Sequence, residues 1–198
     1  MLKRRLATLA LRAAGWQFEG EAPKPKKYVC LAVPHTSNWD GLLLIGIQQA
    51  LDLPMAFMIK ASWVNSPVGP LLRRLGAVAI DRSQASDVVD QMIAEMNRRD
   101  ELVLVIPPEG TRGRAEHWKS GFYRIALGAR VPVVPGYLDF ARKRAGLGPP
   151  IDLTGDVRTD MDRIRAFYAA HAPTAHDPAG FGPIQLREEV EAGGSQAT

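Results

Sequence analysis

Short all-apolar runs alternate along this chain with stretches of helical periodicity. Tyr28–Val33, Ala56–Ile59, Ala77–Ile80 and Leu102–Ile106 are apolar at every position, the pattern of strands buried on both faces. Val131–Leu138 is a further run, but Pro132 and Pro135 lie within it, so an edge or irregular strand is expected. Between these runs, residues 41–51 read as a helix and Leu71–Leu75 as a short helix stopped by Gly76. The clearest helix follows Ser86, a candidate N-cap, and carries Val88, Val89, Met92, Ile93 and Met96 on one face. Residues 118–128 predict a helix with Phe122, Ile125 and Ala126 inward, ended by Gly128. Residues 161–170 read as one more helix, 172–183 as loop, and 193–198 as a disordered tail. Strands alternating with helices predict an α/β fold. The expected domain, residues 28–192, is single, with a largely parallel mixed sheet flanked by helices.

Residues 2–16 predict an amphipathic N-terminal helix. Leu2, Leu6, Leu9, Ala13 and Trp16 recur at spacings of three and four and so share a stripe, with Arg5 and Arg12 at its flanks. Ala22-Pro23-Lys24-Pro25-Lys26-Lys27 then reads as a linker, so residues 1–27 form a basic arm. The arm holds seven Lys and Arg against two Glu, a net +5, which leaves −1 for the rest of a chain whose total is +4. Two readings stay open for its helix: an element lying in a membrane interface, or one docked on its own domain.

Composition narrows the setting. At 198 residues the chain can bury a core without staples, and its only cysteine, Cys30, excludes a disulfide framework or a CxxC metal site. No apolar run is long enough to span a bilayer, and Arg12 interrupts the one stretch that resembles a signal sequence. A cytoplasmic protein, peripheral on the inner face of the cell membrane, is the expectation. No P-loop, G-x-G-x-x-G, HExxH or G-x-S-x-G is present, so no metal or nucleotide cofactor is expected.

Two segments at the ends of predicted strands carry the candidate chemistry. The first is Pro34-His35-Thr36-Ser37-Asn38-Trp39-Asp40. Five positions apart on one helix, His35 and Asp40 would diverge by about 140°. They can meet only if His35 lies in the loop before the helix and Asp40 in its first turn, with Ser37 or Asn38 as cap. Asp40 would then orient the imidazole and leave its other nitrogen to take a proton. The second segment is Pro108-Glu109-Gly110-Thr111-Arg112, whose turn offers backbone N–H groups, a carboxylate and a guanidinium. Arg82 follows the strand Ala77–Ile80, and Lys119 opens the helix after the second segment; both suit a phosphate, as Lys60 does more weakly. His117, His171 and His176 have no partner pattern and read as surface residues.

Taken in order, these blocks resemble the lysophospholipid acyltransferase family, which includes the PlsC-like bacterial 1-acylglycerol-3-phosphate acyltransferases. His35 to Asp40 matches the family's H-x4-D block. Gly76 to Arg82 matches G-x-x-x-I-x-R, Pro108 to Arg112 matches P-E-G-T-R, and Val131 to Pro135 matches V-P-V-x-P. The likeness spans about residues 28–138. It implies that His35 is a general base oriented by Asp40, and that the acceptor hydroxyl attacks an acyl-CoA or acyl-ACP thioester directly. It implies that Arg82 and Arg112 bind the acceptor phosphate, and that the turn Glu109, Gly110 and Thr111 positions substrate with Lys119 nearby. The expected partners are a lysophospholipid acceptor, the acyl donor and, through residues 2–16, a membrane surface, with no nucleic acid. Pro34, Pro107 and Gly113 depart from the family's usual residues, which leaves other lysophospholipids or lyso-aminolipids open as acceptor, and a silent lipid-binding relative as the alternative class.

Overall fold

The computed structural model describes residues 2–80 and 85–189. Its elements, in chain order, are α1 (Leu2–Ala13), β1 (Gln17–Glu19), β2 (Lys27–Val33), α2 (Asn38–Leu51), β3 (Met55–Lys60), α3 (Ala61–Val64), α4 (Gly69–Arg74) and β4 (Ala77–Ile80). They continue with α5 (Ala85–Arg98), β5 (Leu102–Ile106), α6 (Gly121–Ala129), β6 (Val133–Asp139), β7 (Arg144–Leu147) and α7 (Val157–His171), followed by a short 3-10 turn, Pro178–Gly180. The seven strands form one mixed sheet in the order β1-β7-β6-β2-β5-β3-β4. Every neighbouring pair is parallel except β6 with β7.

The central all-apolar strands, β2 and β5, are buried because helices cover both faces, whereas β4 at the sheet edge leaves Ala79 exposed. Along β2, Val29, Leu31 and Val33 point into a core shared with Met92 and Met96 of α5, Phe122 and Ile125 of α6, and Met161 and Ile164 of α7. The intervening Tyr28 and Cys30 point the other way, towards Trp16 and Ile47 and the flanking Leu11 and Leu43 of α1 and α2. This period of two, with apolar residues on both phases, is what a central parallel strand requires.

Three expectations change. Val131–Leu138 is not an edge: β6 lies between β2 and β7. The Val133 N–H and the Pro135 carbonyl face the β7 side, and the β7 ladder begins only at Gly136, so the Pro135 nitrogen lies where no partner carbonyl is needed. The basic arm is not separate from the sheet, because Gln17–Glu19 forms β1 and pairs with β7. Its pairing is closed by Tyr137 Oη donating to Glu19 at 2.5 Å, a contact no local pattern reveals. The helical stripe of the arm is also turned differently. Leu11 packs against Gly46 of α2, Trp16 enters the core, and Leu6 and Leu9 stay 56% and 65% exposed. The predicted tail, 193–198, lies outside the described residues.

Asp160 fastens the C-terminal part of this frame. It is fully buried on α7 and accepts from Tyr123 Oη of α6 at 2.8 Å, from the Thr154 N–H and hydroxyl, and from the Gly155 N–H. Asp160→Ala should therefore lower stability by about 3 kcal/mol in urea unfolding at neutral pH, because it strands several buried donors. Tyr123→Phe should cost only about 1 kcal/mol. A loss below 1 kcal/mol for Asp160→Ala would show that these donors find other partners.

Candidate active site

β2 and β5 are neighbours, with Leu31 opposite Ile106. Their chain segments leave the same carboxyl edge of the sheet side by side, which brings His35 and Glu109, 74 residues apart, into contact. Ligands of open parallel sheets bind at this edge.

The spacing between His35 and Asp40 is that of a helix cap. Ser37 is the N-cap of α2, with extended backbone, and its hydroxyl accepts from the Trp39 N–H at 3.1 Å. Asp40, at the third helical position, completes a capping box. Its Oδ2 accepts from the Thr36 and Ser37 N–H groups, both at 2.8 Å, and lies 3.2 Å from His35 Nδ1. Burial pushes the Asp40 carboxyl up, but the His35 and Ser37 hydrogen bonds outweigh it and hold the group below its ordinary range. Asp40 is thus an ionised acceptor at neutral pH. With Nδ1 engaged, Nε2 is the ring nitrogen left to take a proton, on a side chain 26% exposed.

Glu109 sits behind this loop rather than at its mouth. It is 3% exposed, and its Oε1 accepts from the His35 backbone N–H at 3.1 Å. Burial pushes its carboxyl up to about 7, against hydrogen bonds from its own N–H and from that of His35.

The rest of the second segment faces outward. Gly110 has φ +65, and a Cβ there would meet the Lys119 chain at 2.7 Å, so glycine lets Lys119 lie across the turn. The Lys119 N–H also donates to the Pro108 carbonyl at 2.8 Å. Thr111 Oγ1 accepts from the Gly113 N–H at 3.3 Å and tightens the loop. Arg112 is exposed, and its Nη1 donates to Asn38 Oδ1, the first helical residue after the Ser37 cap. His35, Asp40, Glu109, Gly110, Arg112 and Lys119 therefore belong to one cluster. Lys60 is exposed at the carboxyl end of β3, beside β5. Arg82 lies outside the described residues.

The segment after α7, expected only as loop, closes over both motifs. The Asp177 N–H donates to Thr36 Oγ1 at 3.1 Å, Arg114 Nη1 donates to the Phe181 carbonyl at 3.0 Å, and the Trp118 N–H donates to the Gln185 carbonyl at 2.7 Å. A Cβ on Gly182 would lie 2.0 Å from the Ala115 carbonyl oxygen, so the strap passes against the loop backbone.

A sequence model described as Acyltransferase matches residues 16–139. The chain belongs to the acyltransferase family. It is 30% identical to a probable 1-acyl-sn-glycerol-3-phosphate acyltransferase of Mycoplasma pneumoniae, over 66% of this chain and 52% of that one. It is 32% identical to the 1-acyl-sn-glycerol-3-phosphate acyltransferase of Cocos nucifera, over 55% of this chain and 44% of that one. The chain spans about half the length of these curated relatives. The 1-acyl-sn-glycerophosphate acyltransferase PlsC of Thermotoga maritima shares the fold, with TM-score 0.62 and 18% identity over 85% of this chain and 78% of that one.

Sequence reasoning missed Asn38 as the partner of Arg112 and Thr36 as the anchor of the strap. The only local signal was their place inside the H-x4-D block. It also did not foresee that His171 stacks on Phe167 at 4.1 Å and that His176 meets the Phe140 edge, so these rings cover apolar neighbours.

The raised carboxyl of Glu109 predicts a pH effect on stability. The group ionises near 4.5 when free and near 7 when folded, so its contribution is fully present below about pH 4.5 and is lost as pH rises through about 7. The loss amounts to about 3 kcal/mol for a shift of this size. Urea unfolding between pH 4.5 and 8 should show the native chain losing stability relative to Glu109→Gln. Parallel curves would mean that folding does not raise the Glu109 carboxyl.

Proposed function

We propose that the chain is a peripheral membrane O-acyltransferase. It moves a fatty acyl chain from acyl-CoA or acyl-ACP to the free hydroxyl of 1-acylglycerol-3-phosphate, giving phosphatidate. One observation carries this reading: an imidazole whose Nδ1 is 3.2 Å from an ionised carboxylate shares its helix start with the guanidinium of Arg112, bonded to Asn38. A base and a phosphate-suited cation are thus both tied to the start of one helix, through Asp40 and Asn38.

In this mechanism His35 Nε2 takes the proton of the acceptor hydroxyl as its oxygen attacks the thioester carbonyl. The tetrahedral intermediate collapses, the C–S bond breaks, and the thiolate takes a proton from the imidazolium. Asp40 keeps the ring in one orientation and offsets its charge. Arg112 and Lys119 hold the acceptor phosphate, with Arg82 as the third cation that the family resemblance implies. The thioester is already activated, so no step calls for a metal.

The membrane belongs to the same reading. No helix among the described residues is long and apolar enough to cross a bilayer. Leu6 and Leu9 of α1, Trp39 and Leu42 of α2, Trp63 of α3, and Leu71 of α4 are exposed. Arg4, Arg5 and Arg12 accompany the α1 pair. Apolar side chains with cationic flanks suit an anionic lipid interface, and Trp39 and Leu42 lie exposed on the helix that follows His35.

Thiol release from acyl-CoA and acyl-ACP, measured with a panel of lysophospholipids in liposomes, tests the reaction. Release should require lysophosphatidate and fall at least about 1,000-fold in His35→Ala. Retained turnover in the variant contradicts the mechanism, and release with a different acceptor corrects the substrate. Arg112→Ala should raise the acceptor KM at least about tenfold with a smaller change in kcat. An unchanged KM removes Arg112 from the phosphate site. Leu6→Glu with Leu9→Glu should weaken liposome binding about 100-fold while leaving Tm within about 2 °C, since both side chains already face solvent. Unchanged binding would leave α1 a docked helix only.

A further inference from the structure

The mechanism above gives Glu109 no task, yet its carboxylate bonds the backbone of His35 itself. Oε1 accepts the His35 N–H at 3.1 Å, and Oε2 is buried with no hydrogen-bond partner among the described residues. A group this enclosed does not reach a headgroup in the mouth of the site. The groups that bear on it are His35 and Asp40 from the catalytic loop and α2, and Tyr168 from α7, with Lys119 lying over the adjacent Gly110.

We propose that Glu109 is a positioning residue for the general base. It holds the His35 backbone while Asp40 holds the ring, and its negative charge favours the imidazolium formed when His35 takes the acceptor proton. The inference rests on the reading of His35 as that base.

The geometry supports both halves. The base is gripped at two points by two buried carboxylates, from the ends of two neighbouring strands, and a misplacement of about 1 Å costs about 100-fold in rate. The electrostatics run the same way. A charged His35 draws Glu109 towards ionisation, and such coupling is reciprocal. The unpartnered Oε2 distinguishes this carboxylate from a structural one. Asp160, which only fastens the fold, has both oxygens satisfied. A carboxylate with one oxygen unpaired among the described residues, in a low-dielectric site, acts strongly on its neighbours.

Glu109→Gln tests the proposal, because glutamine keeps an acceptor for the His35 N–H and removes the charge. kcat should fall about tenfold, the acceptor KM should change less than about twofold, and the part of the acid limb of kcat contributed near pH 7 by Glu109 should disappear. A KM raised tenfold with kcat kept would make Glu109 a substrate ligand and overturn the proposal. So would an unchanged kcat, or a lowered kcat with the acid limb unmoved, which is the behaviour of a merely structural side chain. If Glu109→Gln does not fold, carbon-13 NMR of glutamate-labelled protein carries the test. The Glu109 titration should move to higher pH in His35→Ala, and an unmoved titration overturns the coupling. Full turnover in His35→Ala would instead fail the reading of His35 itself, whatever Glu109 does.

Discussion

The carboxylate of Asp40 is the point on which the site depends. It accepts two backbone N–H groups and the Ser37 hydroxyl, and it faces His35 Nδ1. One buried, ionised group therefore caps α2, fixes the turn that carries His35, and orients the ring. Local structure and chemistry coincide here, because the donors that a helix start leaves without partners are the ones that keep the carboxylate charged. A neutral group at this position would lose the cap and the ring orientation together.

The sheet supplies what the cap cannot. Parallel pairing of β2 with β5 sets two sequence-distant loops at one edge, and the strap after α7 ties them from outside through Thr36, Arg114 and Trp118. Glu109 ties them from inside. Its burial lowers stability at neutral pH, whereas Asp40 and Asp160 are held charged by full sets of partners. A destabilising carboxyl beside the proposed general base fits the pattern of a residue kept for function.

Much of this was legible in the chain. The all-apolar strands β2 and β5 were clear because both of their faces are buried, so no alternation competes with the signal; β4, at the sheet edge, leaves Ala79 exposed. A helix cap at Ser37 or Asn38 is legible in the sequence, and it is what lets His35 in the loop meet Asp40 in the first turn; the structure makes Ser37 the cap and Asp40 its capping-box partner. What could not be read depends on long-range pairing. β1 is three residues long and is held by Arg144 and Tyr137 partners far along the chain. The interior position of β6 depends on where the β7 ladder starts, not on the prolines themselves. The depth of Glu109 likewise follows from its long-range bond to the His35 loop, and a P-E-G-T-R turn looks the same in sequence whether its carboxylate faces in or out.

The account turns on the tautomer of one ring. Nitrogen-15 NMR of histidine-labelled protein, with His35 assigned by its loss in His35→Ala, reads that tautomer directly. The prediction is a neutral His35 with its proton on Nδ1, facing Asp40, and Nε2 unprotonated, with this preference lost in Asp40→Asn. A native His35 protonated on Nε2 would leave no lone pair for the acceptor hydroxyl and would contradict the account.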